Sequence, residues 1–317
     1  MNLFSNPLQQ ALDGAQSILI AGAGGGFDVY SGLPLYLALR NAGKTVHFAN
    51  YTFAALPENA DAQVTPHCVR VHADIGGSET YFPERRLCEW FRVERSEEIN
   101  IYSFRACGVR PLREAYDALR RLLMLDAIIL VDGGSDSLLR GDECDLATPV
   151  EDMTSLVAVH GLDVPCKMLM CLGFGVDYFH GVCHANCFEA IAALTQRRAF
   201  HGVMSLLPQM PEAQALLSAV DFANQRTLRR ESIVCSSIAS AVEGRFGNYH
   251  RNARTNGTKL WINPLMNMYW AFQLDAVVER CLYASDLEKT QTQSDVIERI
   301  HAFRRNTTAR SWEEIPL

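Results

Sequence analysis

Nowhere in this chain do apolar residues run on long enough to cross a bilayer. The longest stretches, such as Ala127 to Val131 and Met168 to Leu172 with its cysteine, fall far short of the roughly 20 residues required, so no transmembrane helix is expected. Positive charge is also in short supply: 29 Lys and Arg stand against 36 Asp and Glu, a formal net charge of -7. A polyanion meets overall repulsion from such a surface, which argues against bulk nucleic-acid binding. Met1 to Pro7 lacks the basic flank and the continuous apolar segment of a secretion signal, and the expected compartment is the cytoplasm. No internal repeat and no low-complexity linker is present. Cysteine is not scarce, but the ten residues are scattered through a chain with enough apolar content to fold without staples, so most are expected as free thiols. Cys166 and Cys171 sit inside an apolar stretch, where cysteine behaves as a small buried hydrophobe.

What is present is an ordinary globular composition, 48% hydrophobic over 317 residues, which excludes disorder, collagen and coiled coil as the dominant state. Ser17 to Gly22 is a short apolar run that ends in a glycine-rich turn, followed by helix-like residues 33–42 and the strand-like 44–50. That is one βαβ unit with a right-handed crossover. Further strands are predicted near 68–72, 99–103, 126–131 and 166–172, with helices near 84–92, 110–125, 149–160 and 181–195. The alternation predicts a mainly parallel sheet covered on both faces. Beyond about residue 200 it weakens. A core over 1–205 and a C-terminal elaboration over 206–317 are expected, or one continuous domain. The elaboration would hold helices over 212–226, 232–243 and 294–304 and a strand pair, 246–250 with 259–262, around the turn-rich Arg254 to Gly257.

Three stretches carry the residues of chemistry. In the first, Gly24, Gly25 and Gly26 let the chain leave a strand sharply, with backbone N–H groups free to face a phosphate. The third glycine of the dinucleotide pattern and the lysine of a nucleotide-triphosphate loop are missing, and the second strand ends in Asn50 instead of a ribose-binding acid. A tight turn with no ligand would also need these glycines. Asp28 either caps the next helix or lines the same crevice as a functional carboxylate. In the second stretch, residues 132–152 hold seven carboxylates and one arginine. Asp132 and Asp136, spaced by Gly133 and Gly134, follow a buried strand, where hard oxygen ligands suit Mg²⁺ or Ca²⁺. Thr148-Pro149-Val-Glu151 has the form of a capping box. Arg140 either pairs with the acids or clamps a phosphate. In the third, Gly173-Phe-Gly175 leads to Asp177. A helix from His180 would place His180, Cys183, His184 and Cys187 on one stripe. One straight helix cannot wrap a tetrahedral zinc with all four; His180 and His184 as a zinc pair completed from elsewhere, a proton-transfer or substrate role for one histidine, and ordinary helix packing with the thiols inward stay open. The arginine clusters 226, 229, 230 and 245, 251, 254 read as solvated faces, and Asn263 to Trp270 either rims a pocket or packs in the core.

Gly24-Gly-Gly-Phe-Asp28-Val29 with Leu33-Pro34, Val131 to Glu143 with Thr148-Pro149 and Asp152, and Gly173-Phe-Gly175 with Asp177 resemble the family known as domain of unknown function 1152 over about residues 15–285. The resemblance implies a cytosolic α/β protein of Rossmann-like, doubly wound topology and brings no established reaction. Ala147 stands where members favour glycine, a departure expected to alter only loop flexibility. The expected function is a divalent-cation-dependent hydrolase or group transferase acting on a nucleotide, nucleoside or phosphorylated small molecule. Asp132, Asp136 and Asp177 are the expected ligands of Mg²⁺ or Mn²⁺ rather than Zn²⁺, and Asp132, Asp136, His180 and His184 the expected catalytic groups. Gly24, Gly25, Gly26, Gly133, Gly134, Gly175, Asp28 and Arg140 are the expected ligand- or phosphate-binding residues. The alternatives are a non-catalytic nucleotide-binding regulator and, behind it, an NAD(P)-dependent oxidoreductase. The expected partner is a small anionic or nucleoside-like molecule, with neither nucleic acid nor membrane, and a homo-oligomer is left open.

Overall fold

The computed structural model describes residues 7–58, 61–77, 80–227, 229–258 and 260–315. Its strands are β1 (Ser17–Gly22), β2 (Thr45–Tyr51), β3 (Gln63–Thr65), β4 (Cys68–Val71), β5 (Ile101–Phe104), β6 (Ala127–Asp132), β7 (Cys166–Leu172), β8 (Phe200–Ser205) and β9 (Met268–Gln273). The helices run α1 (Pro7–Leu12), α2 (Asp28–Ser31), α3 (Leu33–Asn41), α4 (Pro83–Arg95), α5 (Val109–Leu123) and α6 (Pro149–His160). They continue as α7 (His184–Gln196), α8 (Pro211–Arg226), α9 (Ile233–Val242), α10 (Leu274–Arg280), α11 (Ala284–Leu287) and α12 (Gln293–Asn306).

The strands form one mixed sheet in the order β3-β4-β5-β2-β1-β6-β7-β9-β8. Its centre, β5-β2-β1-β6-β7, is parallel, and antiparallel pairs finish both edges. Alternate side chains of the central strands serve opposite layers. Ile18, Ile20, Ile129, Val131, Met168 and Met170 pack under α3, α4, α8 and α9. Leu19, Ala21, Ile128, Leu130, Leu169 and Cys171 pack under α5, α6, α7 and α10. Burial on both faces is why the middles of these strands are largely apolar on successive positions, and each such aliphatic side chain contributes about 1.5–3 kcal/mol. The result is the Rossmann-like α/β fold. β2 lies on one side of β1 and β6 on the other, so the strand order reverses between β1 and β6, where doubly wound sheets open a crevice at their carboxyl ends.

The C-terminal third differs in detail from the expected pattern. The strand pair 246–250 with 259–262 reduces to a single bridge, Gly247 to Ile262, and Lys259 lies outside the described residues. Ile262 is instead drawn into a small apolar cluster with Val176, Ala241, Leu260 and Met266, while residues 253–255 form a 3-10 turn. β8 and β9 were not anticipated. β9 comes from the C-terminal third yet pairs with β7 on one side and β8 on the other. All ten cysteines are free. Among the described residues no helix is long and apolar enough to cross a membrane.

Candidate metal centre

Parallel pairing brings three chain corners to one edge of the sheet. Gly22 at the end of β1 stands opposite Val131, and Asp132 at the end of β6 stands opposite Cys171 of β7. The Ala23 N–H donates to Val131 O at 2.9 Å beyond the last paired residues. Gly25 and Gly26 then take positive φ, 87° and 59°, a reversal that glycine makes without strain, and Asp28 opens α2. From the other side, Ser155 Oγ on α6 donates to Ala23 O at 2.8 Å, which draws the first turn of α6 over the glycine turn.

At this edge, ligand oxygens of Asp28, Asp132 and Asp152 all lie within 4.8 Å of one another. Among the described residues they are the one group of His, Cys, Asp and Glu side chains placed to hold a metal ion. Asp132 and Asp152 are 3% and 2% exposed, and Asp28 is half-buried beside them. Each carboxylate is aimed. Asp28 Oδ2 accepts the Gly24 N–H at 2.7 Å, and Asp132 Oδ2 accepts the Ser137 hydroxyl. Asp152 Oδ1 is buried with no hydrogen-bond partner, an arrangement that is costly for a polar atom. The glycines explain how the carboxylates come so close. A β-carbon at Gly24 would lie 2.7 Å from Asp152 Oδ1 and 2.9 Å from Asp28 Oδ2, and one at Gly133 would lie 2.7 Å from Asp28 Oδ1.

Of the expected Asp132, Asp136 and Asp177, only Asp132 belongs to this group of three carboxylates. Asp136 Oδ2 accepts both the backbone N–H and the hydroxyl of Thr148, each at 3.0 Å, closing the loop between β6 and α6. Asp177 Oδ2 accepts the Ser135 N–H at 2.6 Å and packs on Gly134, whose β-carbon would meet it at 2.7 Å. Thr148 spends its hydroxyl on Asp136, so the predicted capping box does not form: α6 has no side-chain cap, and Glu151 instead accepts from Gln293 at 2.7 Å. Two of the amides expected to cradle a phosphate are engaged, Gly24 with Asp28 and Gly26 with Tyr51 O at 3.1 Å. Arg140 pairs bidentately with Asp142 at 2.9 and 2.7 Å, not with Asp132 or Asp136.

Burial is the first cause of the electrostatics here and mutual repulsion the second. Desolvation pushes Asp28 up to about 7 and holds Asp132, Asp152 and Asp177 well above the carboxylate range, with neighbouring aspartates adding to the rise. Asp136 is also raised by burial, against the lowering effect of its bonds to Thr148. Among the described residues none of these five forms an ion pair with lysine or arginine. A buried acidic group of this kind either retains protons or takes up a cation.

The expected histidine stripe is broken. Residues 176–180 form a 3-10 helix, Gly181 turns it at φ 86°, and α7 begins afresh at His184. His180 is exposed and acts electrostatically on Asp136. His184 faces elsewhere, into a cleft of about 550 Å³ with Gly175, Tyr178 and Asn263, and burial lowers its pKa. Cys183 Sγ donates to Glu313 O and Cys187 Sγ to Ser135 O, so the two thiols do not converge with the imidazoles. Asp152 is the site residue that sequence reasoning missed, because a helix-starting pattern already accounted for its neighbours.

The family model described as protein of unknown function (DUF1152) matches residues 84–313, well over half of the chain. Asp132 and Asp152 fall inside the matched segment and Asp28 before it. No curated protein and no solved structure matches the chain.

Proposed function

Since the chain belongs to the DUF1152 family, whose members are described as proteins of unknown function, we propose from the geometry of its own residues that it is a divalent-cation-dependent hydrolase or group transferase. The substrate is a nucleotide, nucleoside or phosphorylated small molecule, and Asp28, Asp132 and Asp152 hold Mg²⁺ or Mn²⁺. The observation that carries this reading is the convergence of three carboxylates from three separate elements, with one Asp152 oxygen buried and unpaired. An all-oxygen donor set suits these hard cations and not the nitrogen and sulfur preference of zinc.

A cation so placed would polarise a phosphoryl or sugar oxygen or lower the pKa of bound water. The chain's own residues supply the rest. Gly24 and Ser137 orient Asp28 and Asp132 through hydrogen bonds. Asp136 and Asp177 brace the two loops that flank the ligands. His184 lines the neighbouring cleft, where burial lowers its pKa. Since the Gly24 and Gly26 amides are already engaged, the cation would supply the counter-charge that these two do not offer a substrate anion. The same engagement disfavours a dinucleotide cofactor, as does Asn50, whose Nδ2 donates to Gly26 O at 2.8 Å and to Glu84 Oε1 at 2.7 Å.

The test begins with chelator-treated protein titrated with Mn²⁺ under electron paramagnetic resonance. Nucleosides, nucleotides and sugar phosphates are then incubated with Mg²⁺ or Mn²⁺ and searched for product. One tight Mn²⁺ site is expected, with at least tenfold weaker binding and loss of turnover in Asp132→Asn and Asp152→Asn. Unchanged Mn²⁺ binding in both variants would refute the assignment.

A further inference from the structure

The cleft that holds His184 plays no part in coordinating the proposed cation, and its chemistry is unlike that of the acidic cluster. At about 550 Å³ it falls within the range of small-molecule sites, roughly 300–1,000 Å³. Its walls include Gly175, Tyr178, His184, Leu260, Trp261 and Asn263, and no charged side chain is among the described residues that line it. Among those described residues a phosphate or a cation meets no counter-charge. A flat, uncharged ring with polar edges gains both stacking surface and hydrogen bonds.

Two polar atoms point at one gap. His184 Nε2 is buried and makes no hydrogen bond of normal geometry, although the Gly175 backbone beside the ring favours its protonated form. Asn263 spends Oδ1 on the Leu265 N–H at 2.9 Å, while its Nδ2 reaches Phe174 O only at 3.4 Å. Gly175, at φ 91°, leaves the space between them open: a β-carbon there would lie 3.1 Å from Asn263 Nδ2 and 3.2 Å from His184 Nε2. Aromatic surface surrounds these atoms. The Tyr178 ring lies 5.5 Å from the His184 ring. Trp261, 56% exposed on the rim, is braced edge-on by Phe246 at 5.7 Å. An indole left so open at the mouth of a cleft is expensive to solvate and ready to stack.

We propose that this cleft binds the base of a nucleoside, which stacks on Trp261 and hydrogen-bonds through its edge to His184 and Asn263. The inference names the substrate class of the function proposed above and rests on that reading for the link to the cation. Gly175 and Tyr178 flank Asp177, so the cleft shares the corner between β7 and α7 with the acidic cluster.

Adenosine, guanosine, cytidine and uridine are titrated calorimetrically into chelator-treated protein, with ribose 5-phosphate as the base-free control. At least one nucleoside is expected to bind without metal, and ribose 5-phosphate is not. Trp261→Ala, at an exposed position that the fold tolerates, is expected to weaken binding about tenfold, as removal of a stacking partner does. His184→Ala, checked by its melting temperature, is expected to weaken it and to change the order of preference among bases. Failure of every nucleoside to bind, with or without Mn²⁺, would overturn the proposal. So would equal binding of ribose 5-phosphate, or unaltered affinity in Trp261→Ala. Mn²⁺ binding measured on the same samples separates the two readings: its absence beside intact nucleoside binding removes only the cation, and the converse removes only the base site.

Discussion

At the scale of single residues, the loop that closes over the acidic cluster stores strain that one substitution should release. Ala147 sits at φ 52°, a left-handed conformation that costs an L side chain about 1–2 kcal/mol. It is pinned there because its own N–H and that of Leu146 both donate to Asp145 Oδ1, at 3.2 and 2.7 Å, while Thr148 donates to Asp136. The backbone at Ala147 is thus under a conformational constraint that glycine would meet without strain. Ala147→Gly removes the strain but loosens the unfolded chain, a cost of about 0.5–1 kcal/mol. A net gain of about 0.5 kcal/mol is expected, read as a small rise in melting temperature, and a fall would show that the β-carbon packs favourably. Asp152 shows the limit of reading at this scale. Its position just after Thr148-Pro149-Val-Glu151 has a local explanation in helix initiation, and only the fold reveals that the same turn of α6 is drawn onto Gly24.

At the scale of elements, the sequence was most informative where burial is complete. The five central strands lie close to their predicted positions, and for β1, β6 and β7 the reason is an apolar run that ends at a glycine or aspartate. β8 was obscured by His201 and Gly202 and by the partial burial of an edge strand. β9 was obscured by the aromatic and amide residues before it, which resemble a pocket rim; Asn263 does line the cleft, while Tyr269 is core. The histidine stripe failed at Gly181, whose left-handed turn was the available signal. The segment after α12 carries its own prediction. Arg310 pairs with Asp142 at 3.0 Å, Glu143 at 3.3 Å and Glu189 at 2.5 Å, and the chain then lays Trp312 edge-on against Tyr178 and Glu313 O against Cys183 Sγ. Cys183 is 1% exposed. Arg310→Ala should free this strap and speed labelling of Cys183 by a thiol reagent by about tenfold or more, since protection there follows local opening. An unchanged labelling rate would show that the strap is held by its apolar contacts.

At the scale of the whole molecule, the acidic cluster couples stability to pH and to cations. A carboxyl whose pKa is higher in the folded than in the unfolded protein holds its proton more tightly when folded. Its unfavourable contribution is absent below about pH 4, grows as the pH rises, and is complete above the folded-state value, about 7 for Asp28. Asp132 and Asp152 shift in the same direction, so metal-free protein should lose stability between pH 5 and pH 8. Exposed carboxylates held low by partners, such as Asp74 beside Arg92, contribute oppositely and only below about pH 4, outside this window. A cation that binds the ionised cluster reverses the slope, adding about 2.7 kcal/mol at a hundredfold excess over its dissociation constant. Asp152→Asn removes a carboxyl whose ionisation burial and the neighbouring aspartates oppose. It should therefore melt a few degrees higher than the parent at pH 8 without metal, and should lose most of the Mn²⁺-induced rise. Thermal melts of both proteins at pH 5.5 and 8, with and without Mn²⁺, check all of this together. A variant less stable than the parent at pH 8 in chelator would mean that the Asp152 carboxylate is satisfied within the fold, leaving its buried oxygen no need of a cation.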